Sequence, residues 1–191
     1  MKKNLSILNI NFQSLWNKRV KLSNIISECD NDIILGTETW LDESIQNSEL
    51  LLSDYDNFRR DRPTRGGGVL VAIKKSLLSE HISTSETSET ISWKIKPKGS
   101  KPLVISSVYR SPDYTSEDCL EIVKEINEIH KKIKGMSYFI SGDFNLPVID
   151  WIGHIIIGNK YAKSINKLYL DTSHDLGLTQ VVDKPTRGPS V

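Results

Sequence analysis

A layered α/β domain with mixed β-sheets is the fold that the 191-residue sequence predicts. Two observations carry that prediction. Short β-rich runs alternate with amphipathic helical stretches, and several of the runs finish on a polar residue set against an apolar core. Hydrophobic residues make up 38% of the chain and charged residues 26%, a composition able to bury a sizeable core, and 1–191 is read as one domain.

"LSILNINF" (5–12) opens the chain as a strand carrying Leu5, Ile7, Ile10 and Phe12. "VKLSNIISEC" (20–29) places Leu22, Ile25, Ile26 and Cys29 on one helical face. "DIILG" (32–36) is continuously apolar, as in a strand buried on both sides. "GGVLVAI" (67–73), "ISWKIK" (91–96) and "LVISSVYR" (103–110) are further strands, divided by turn chemistry such as "KPKGSKP". A helix follows over 116–134: Thr115 and Asp118 suit a capping box, Ile122, Ile126, Ile129 and Ile133 form a stripe, and Gly135 is a stop. "MSYFISGDF" is a strand, 146–160 is irregular, 161–176 is a helix, and "LTQVV" (178–182) is a final strand. The predicted order is therefore β-α-β-β-β-β-α-β-α-β.

The net charge of +1 means that a nucleic-acid partner has to be held by a local basic patch. Cys29 and Cys119 have no metal-ligand spacing and are read as reduced thiols of an intracellular protein. "MKKNLSILNINF" is too short and too polar for a signal peptide or a membrane span.

The polar residues at strand ends are the candidate site. Asn9 and Asn11, Glu38, Tyr109, and Asp143 with Asn145 all fall at or just past the end of a predicted strand. Strand ends gather on one side of an α/β sheet, and positions i and i+2 of an extended segment face the same way. One cleft would then hold two carboxylates, carboxamides and a phenol, with no Cys–His pair, phosphate-binding glycine loop or serine elbow. Oxygen donors with a carboxylate suit Mg²⁺, and Mg²⁺ beside a carboxylate base suits phosphate-ester hydrolysis.

"ILNIN", "TETW", "RRDRPTRGGGVLVAI", "VYRSP", "SGDFN" and "DLGLTQVVDKPTR" together resemble the endonuclease/exonuclease/phosphatase (DNase-I-like) superfamily. More narrowly they resemble the apurinic-type endonuclease domain of LINE-type (non-LTR) retrotransposons. The resemblance implies a four-layer α/β sandwich, two packed mixed β-sheets flanked by helices. It implies that Glu38 binds the metal and that Asn9 supports metal and base, with Asn11 beside it. Tyr109 then contacts the scissile phosphate, Asp143 activates the water, and Asn145 stabilises the transition state. The cofactor is Mg²⁺, with Mn²⁺ as a substitute.

Arg59, Arg60, Arg62 and Arg65 of "FRRDRPTR", with Arg110, are the candidate duplex contacts; a solvated loop around Asp61 is the competing reading of the block. Trp40 and Trp151 are expected in the core rather than on bases. "TSHD" (172–175) reverses the family's Ser-Asp-His order on the wrong element, so His174 is an ordinary helix residue. The family continues beyond "DKPTRGPSV" through an aspartate and that Ser-Asp-His block, and the chain is accordingly expected to be a C-terminally incomplete copy with impaired activity.

The implied function is Mg²⁺-dependent nicking of double-stranded DNA by a monomeric retrotransposon domain. It would share a chain with a reverse transcriptase, act in the nucleus and have no membrane association. The alternatives are a phosphatase or phosphodiesterase of the same superfamily, and a non-catalytic DNA-binding relic.

Overall fold

Strands β1 (Ile7–Asn11) and β2 (Ile33–Thr37) run side by side in parallel, joined by helix α1 (Leu15–Cys29). The structure, a computed structural model, describes residues 4–50, 52–182 and 186. The two β3 (Tyr55–Arg60) and β4 (Val69–Lys74) strands complete a first sheet in the order β1-β2-β4-β3, with β4 antiparallel to both neighbours. The second sheet holds β5 (Leu78–Thr84), β6 (Glu89–Lys96), β7 (Leu103–Tyr109) and β8 (Ser137–Asp143), in sequence order. Its last pair, β7 and β8, is parallel and is joined by helix α2 (Ser116–Lys132).

Both sheets are thus mixed, and each contains one β-α-β crossover. Ile33, Leu35, Val69, Val71 and Ile73 of the first sheet meet Ile91, Ile95, Ile105 and Tyr109 of the second in one apolar core. Inside that core the Ser107 hydroxyl donates to the Gly36 carbonyl at 3.1 Å, tying the sheets together. On the outer side of the first sheet, Leu15 and Leu22 of α1 pack with Ile34, Leu70 and Ala72. On the outer side of the second, Ile129 and Ile133 pack with Val104. Alternation of side chains along the strands feeds both layers at once, which is why β2 and β4 read as unbroken apolar runs. Helix, sheet, sheet, helix: the expected four-layer sandwich is the fold.

The capping box of α2 is present, Thr115 and Asp118 exchanging bonds between side chains and backbone. The isoleucine stripe is buried throughout. Helix α1 begins five residues before the predicted start at Val20. Its N-terminus lacks a side-chain cap; instead Ser14 and Leu15 donate backbone N–H groups to the Glu38 and Thr39 carbonyls, at 3.0 and 2.9 Å. A cap supplied by distant backbone leaves no mark in the local sequence.

Strands β3 and β5 were not predicted, and both are sheet edges. "YDNFRR" and "LSEHIST" carry the polar residues that an edge strand tolerates, which erases the apolar run. The predicted strand 178–182 is absent: it joins no ladder, and Val181 and Val182 stand 72% and 50% exposed. Cys29 is exposed rather than on the packed face of α1. Trp40 is also exposed, contrary to its expected place in the core.

The chain divides into two compact units, one through Asn145 and one from Leu146. Both four-stranded sheets, α1 and α2 lie in the first. The second holds a two-residue ribbon, β9 (Ile149–Asp150) against β10 (Ile155–Ile156), and helix α3 (Lys163–Asp175). His174 sits in the last turn of α3, exposed. Among the described residues no helix is long and apolar enough to cross a membrane.

Candidate active site

The parallel strands of each sheet finish at the same end of the sandwich, and the polar residues predicted to share a site converge there. Asn11 closes β1, Glu38 follows β2, Tyr109 closes β7 and Asp143 closes β8. Asn11 is the centre. Its Nδ2 donates to Glu38 Oε1 at 2.7 Å and to Asp143 Oδ2 at 2.8 Å, joining residues 132 positions apart across the two sheets. Its Oδ1 is buried and accepts no hydrogen bond from the described residues. Asn9 lies exposed two residues earlier on β1 and takes no part in this bridge. Of the two asparagines expected at the site, the structure brings Asn11 and not Asn9 into contact with Glu38 and Asp143.

A buried acceptor without a donor is costly, and one on a side chain whose amide nitrogen bridges two carboxylates is a natural place for a hard cation. Glu38, Asp143 and Asn11 Oδ1 are all oxygen donors, few enough to leave room for water and substrate oxygens. This donor set fits Mg²⁺ or Mn²⁺.

The backbone beneath the site is strained. Gln13, Ser14, Glu38, Trp40 and Asn145 all have positive φ, between 44° and 85°. Each such residue costs on the order of 1–3 kcal/mol and persists only where its surroundings over-determine it, except that Asn adopts this conformation readily. Here the surroundings do so: Trp40 N–H donates to the Gly67 carbonyl at 2.9 Å, and Thr39 N–H to that of Gly68 at 3.3 Å. The glycine run thus holds the Glu38 turn.

Asp143 is held from its own strand. Its carbonyl accepts Arg110 N–H at 3.0 Å and its Oδ1 accepts Asn145 N–H at 3.1 Å. Asn145 in turn donates Nδ2 to the Arg110 carbonyl at 2.9 Å. The guanidinium of Arg110 is wholly buried, reaching Cys119 Sγ and the Phe144 and Asn145 carbonyls. Arg110 therefore does not face DNA as expected from the sequence; it props the loop that carries Asp143 and Asn145.

Tyr109 is nearly buried, and burial, followed by the nearby Glu38 charge, pushes its hydroxyl up to about 12. It is consequently a neutral hydrogen-bond donor across the neutral and mildly alkaline range. Because the folded-state value is raised, the associated stability is complete below the ordinary tyrosine value near 10 and is lost as pH rises towards 12. In a spectrophotometric titration the one tyrosine that wild type has and Tyr109→Phe lacks should ionise only as pH approaches 12; a wild-type excess already complete near pH 10 would refute the assignment.

The arginine block divides. Arg59 donates to the Ile45 and Asp42 carbonyls and pairs with Asp61, and Arg60 donates to the Ser85, Asp61 and Glu86 carbonyls. Both are on β3, so these two guanidiniums tie loops together. Arg62 is clamped by Glu89. That buried carboxylate accepts Arg62 Nε at 2.7 Å, a second Arg62 nitrogen, the Gly68 N–H, and the Tyr114 hydroxyl at 2.7 Å. Burial and Glu89 raise the Tyr114 hydroxyl further above its ordinary value, keeping it a donor. The Arg62 guanidinium lies 5.7 Å from the Tyr109 ring centre, next to the site. Arg65 is exposed and bonds to none of the described residues. Glu89 and Tyr114 carry no motif, and nothing in the sequence signals that they meet Arg62.

The sequence matches the Endonuclease/Exonuclease/phosphatase family over residues 8–186. The chain belongs to that family. Solved structures with the same fold include the endonuclease domain of TRAS1, a telomere-specific non-LTR retrotransposon, at 15% identity and a TM-score of 0.64. That alignment covers 91% of this chain and 72% of the other. The AP endonuclease LMAP from Leishmania major follows at 14% and 0.67, covering 90% and 66%. The APE2 catalytic domain from Xenopus laevis is similar at 15% and 0.63, covering 88% and 67%. This member of the endonuclease/exonuclease/phosphatase family thus spans about two thirds to three quarters of the length of those structures. No curated protein matches the sequence.

Proposed function

We propose that this domain hydrolyses phosphodiester bonds of double-stranded DNA with a divalent cation, Mg²⁺ or Mn²⁺, nicking one strand. The observation that carries the reading is Asn11, bridging Glu38 and Asp143 while its own buried Oδ1 has no donor among the described residues. Glu38, Asn11 and Asp143 would hold the cation, which when bound withdraws charge from a phosphate oxygen. Asp143, fixed by Asn11 and Asn145, aligns the attacking water and takes its proton. Tyr109 offers its neutral hydroxyl to a phosphate oxygen, and Asn145 keeps the Asp143 loop in register. Arg65, which bonds to none of the described residues, supplies positive charge along the strand, while Arg62 beside Tyr109 stays paired with Glu89.

The fold shared with the TRAS1 endonuclease domain supports a retrotransposon origin. In such an element the domain shares a chain with a reverse transcriptase, works as a monomer in the nucleus and leaves a 3′-hydroxyl for extension. Isothermal titration is the first test. Glu38→Ala should weaken Mg²⁺ binding by more than about tenfold, since even groups behind a metal ligand are worth that much. Undiminished binding would sink the assignment.

A further inference from the structure

Beside the catalytic centre lies a second concave surface, a cleft of about 370 Å³ lined by Ser14, Trp40, Asp42, Arg62, Arg65 and Gly66, among others. We propose that it receives one unstacked nucleotide of the DNA strand being cut, the base lying on Trp40 and its phosphate on Arg65. The proposal rests on the nuclease reading of the neighbouring site and extends it to how the strand is held.

Trp40 is the main reason. Its side chain is 41% exposed although it follows Glu38 by only two residues. It also has a φ of 55°, a conformation that bulky residues avoid, and its backbone is held to Gly67. A strained, solvent-facing indole contributes little to the core, so its cost calls for another return. Gly66 lies close to the indole: a Cβ there would stand 3.9 Å from Trp40 Nε1, in ordinary contact.

The charges favour a nucleotide over a polyanion. Arg62 forms one wall but is neutralised by Glu89, and Asp42 accepts both the backbone and the hydroxyl hydrogen of Ser44. Arg65 alone of these has no partner among the described residues. One unpaired cation beside an aromatic face matches one phosphate and one base. The volume, at the low end of ligand clefts, admits a nucleotide and excludes a duplex. A base must therefore leave the stack to enter, which favours cutting where the helix is already distorted.

The test compares a thymidine tetranucleotide with a tetramer of the same backbone lacking bases, titrated in EDTA against the full chain. The base-bearing probe should bind at least about tenfold more tightly and quench tryptophan fluorescence, because base–aromatic stacking is worth that factor or more. Trp40→Ala should bring the two probes to equal affinity, while Trp40→Phe keeps the preference. Arg65→Ala should weaken both probes alike and flatten their salt dependence. A Trp40→Ala protein that keeps the wild-type ratio, or a wild type that binds both probes equally, would overturn the proposal. Because the ratio is measured without hydrolysis, it is independent of the nuclease reading, which fails separately if Mg²⁺-dependent plasmid nicking survives Glu38→Gln.

Discussion

Asp143→Asn should lower the rate of supercoiled plasmid nicking by about 10²–10⁴-fold, the usual contribution of a general acid/base group. The substitution is nearly isosteric and keeps one acceptor oxygen. It therefore still takes one of the two hydrogen bonds that Asp143 now accepts, from Asn11 at 2.8 Å or from the Asn145 N–H at 3.1 Å. What it removes is the ability to accept a proton from water. Asp143 is only half-buried at the end of β8, so the melting temperature should change little. Rates from initial velocities at saturating Mg²⁺, with melts of both proteins, make the comparison. A variant within a few-fold of wild type would show that the proton goes elsewhere and that Asp143 serves only to orient.

Much of this site is written locally in the chain, and what is not follows a physical pattern. "SGDFN" announces Asp143 because an apolar strand is followed by glycine and two polar residues with i, i+2 spacing. "TETW" announces Glu38 in the same way. The choice between Asn9 and Asn11 is different. Both lie on the same face of β1, and only the position of β8 opposite decides which meets Asp143. That is a property of how the two sheets face each other, which no local pattern encodes. Glu89 is an extreme case, a residue of β6 whose partners come from the arginine block, the glycine run and the loop before α2. Conversely, four arginines in seven positions suggested an open basic surface. The structure shows Arg59 and Arg60 bonded to carbonyls, because guanidiniums on an edge strand find loop backbone before they find solvent, and Arg62, just past that strand, paired with the Glu89 carboxylate. The missed edge strands have the same origin, since polarity marks both loops and edges.

Gly142→Ala should be the most damaging conservative change in the fold, and it separates scaffold from chemistry. Gly142 pairs with Val108 in the β7–β8 ladder at a φ of 143°, which side-chain-bearing residues rarely adopt. A Cβ there would be driven into the Val108 carbonyl oxygen, with the Val108 nitrogen and carbonyl carbon also within 2.9 Å. The obstacle is backbone in the middle of a sheet, so no rotamer change relieves it. Overpacking of about 1–3 kcal/mol adds to conformational strain of about the same size, giving roughly 2–6 kcal/mol. For a chain of this length that lowers Tm by roughly 5–20 °C. Activity should fall further than the folded fraction, because β8 can admit the methyl group only by moving away from β7 and carrying Asp143 with it. A displacement of about 1 Å is enough to cost 10²-fold. Gly135→Ala supplies the contrast. Its φ of 77° is also unfavourable, yet no atom lies within 4 Å of the added carbon. It should cost only the strain of the left-handed conformation, about 1–2 kcal/mol, and leave nicking by the folded protein unchanged. Equal losses for the two variants would mean that strain alone governs both sites, and that the close approach of β8 to Val108 does not set the position of Asp143.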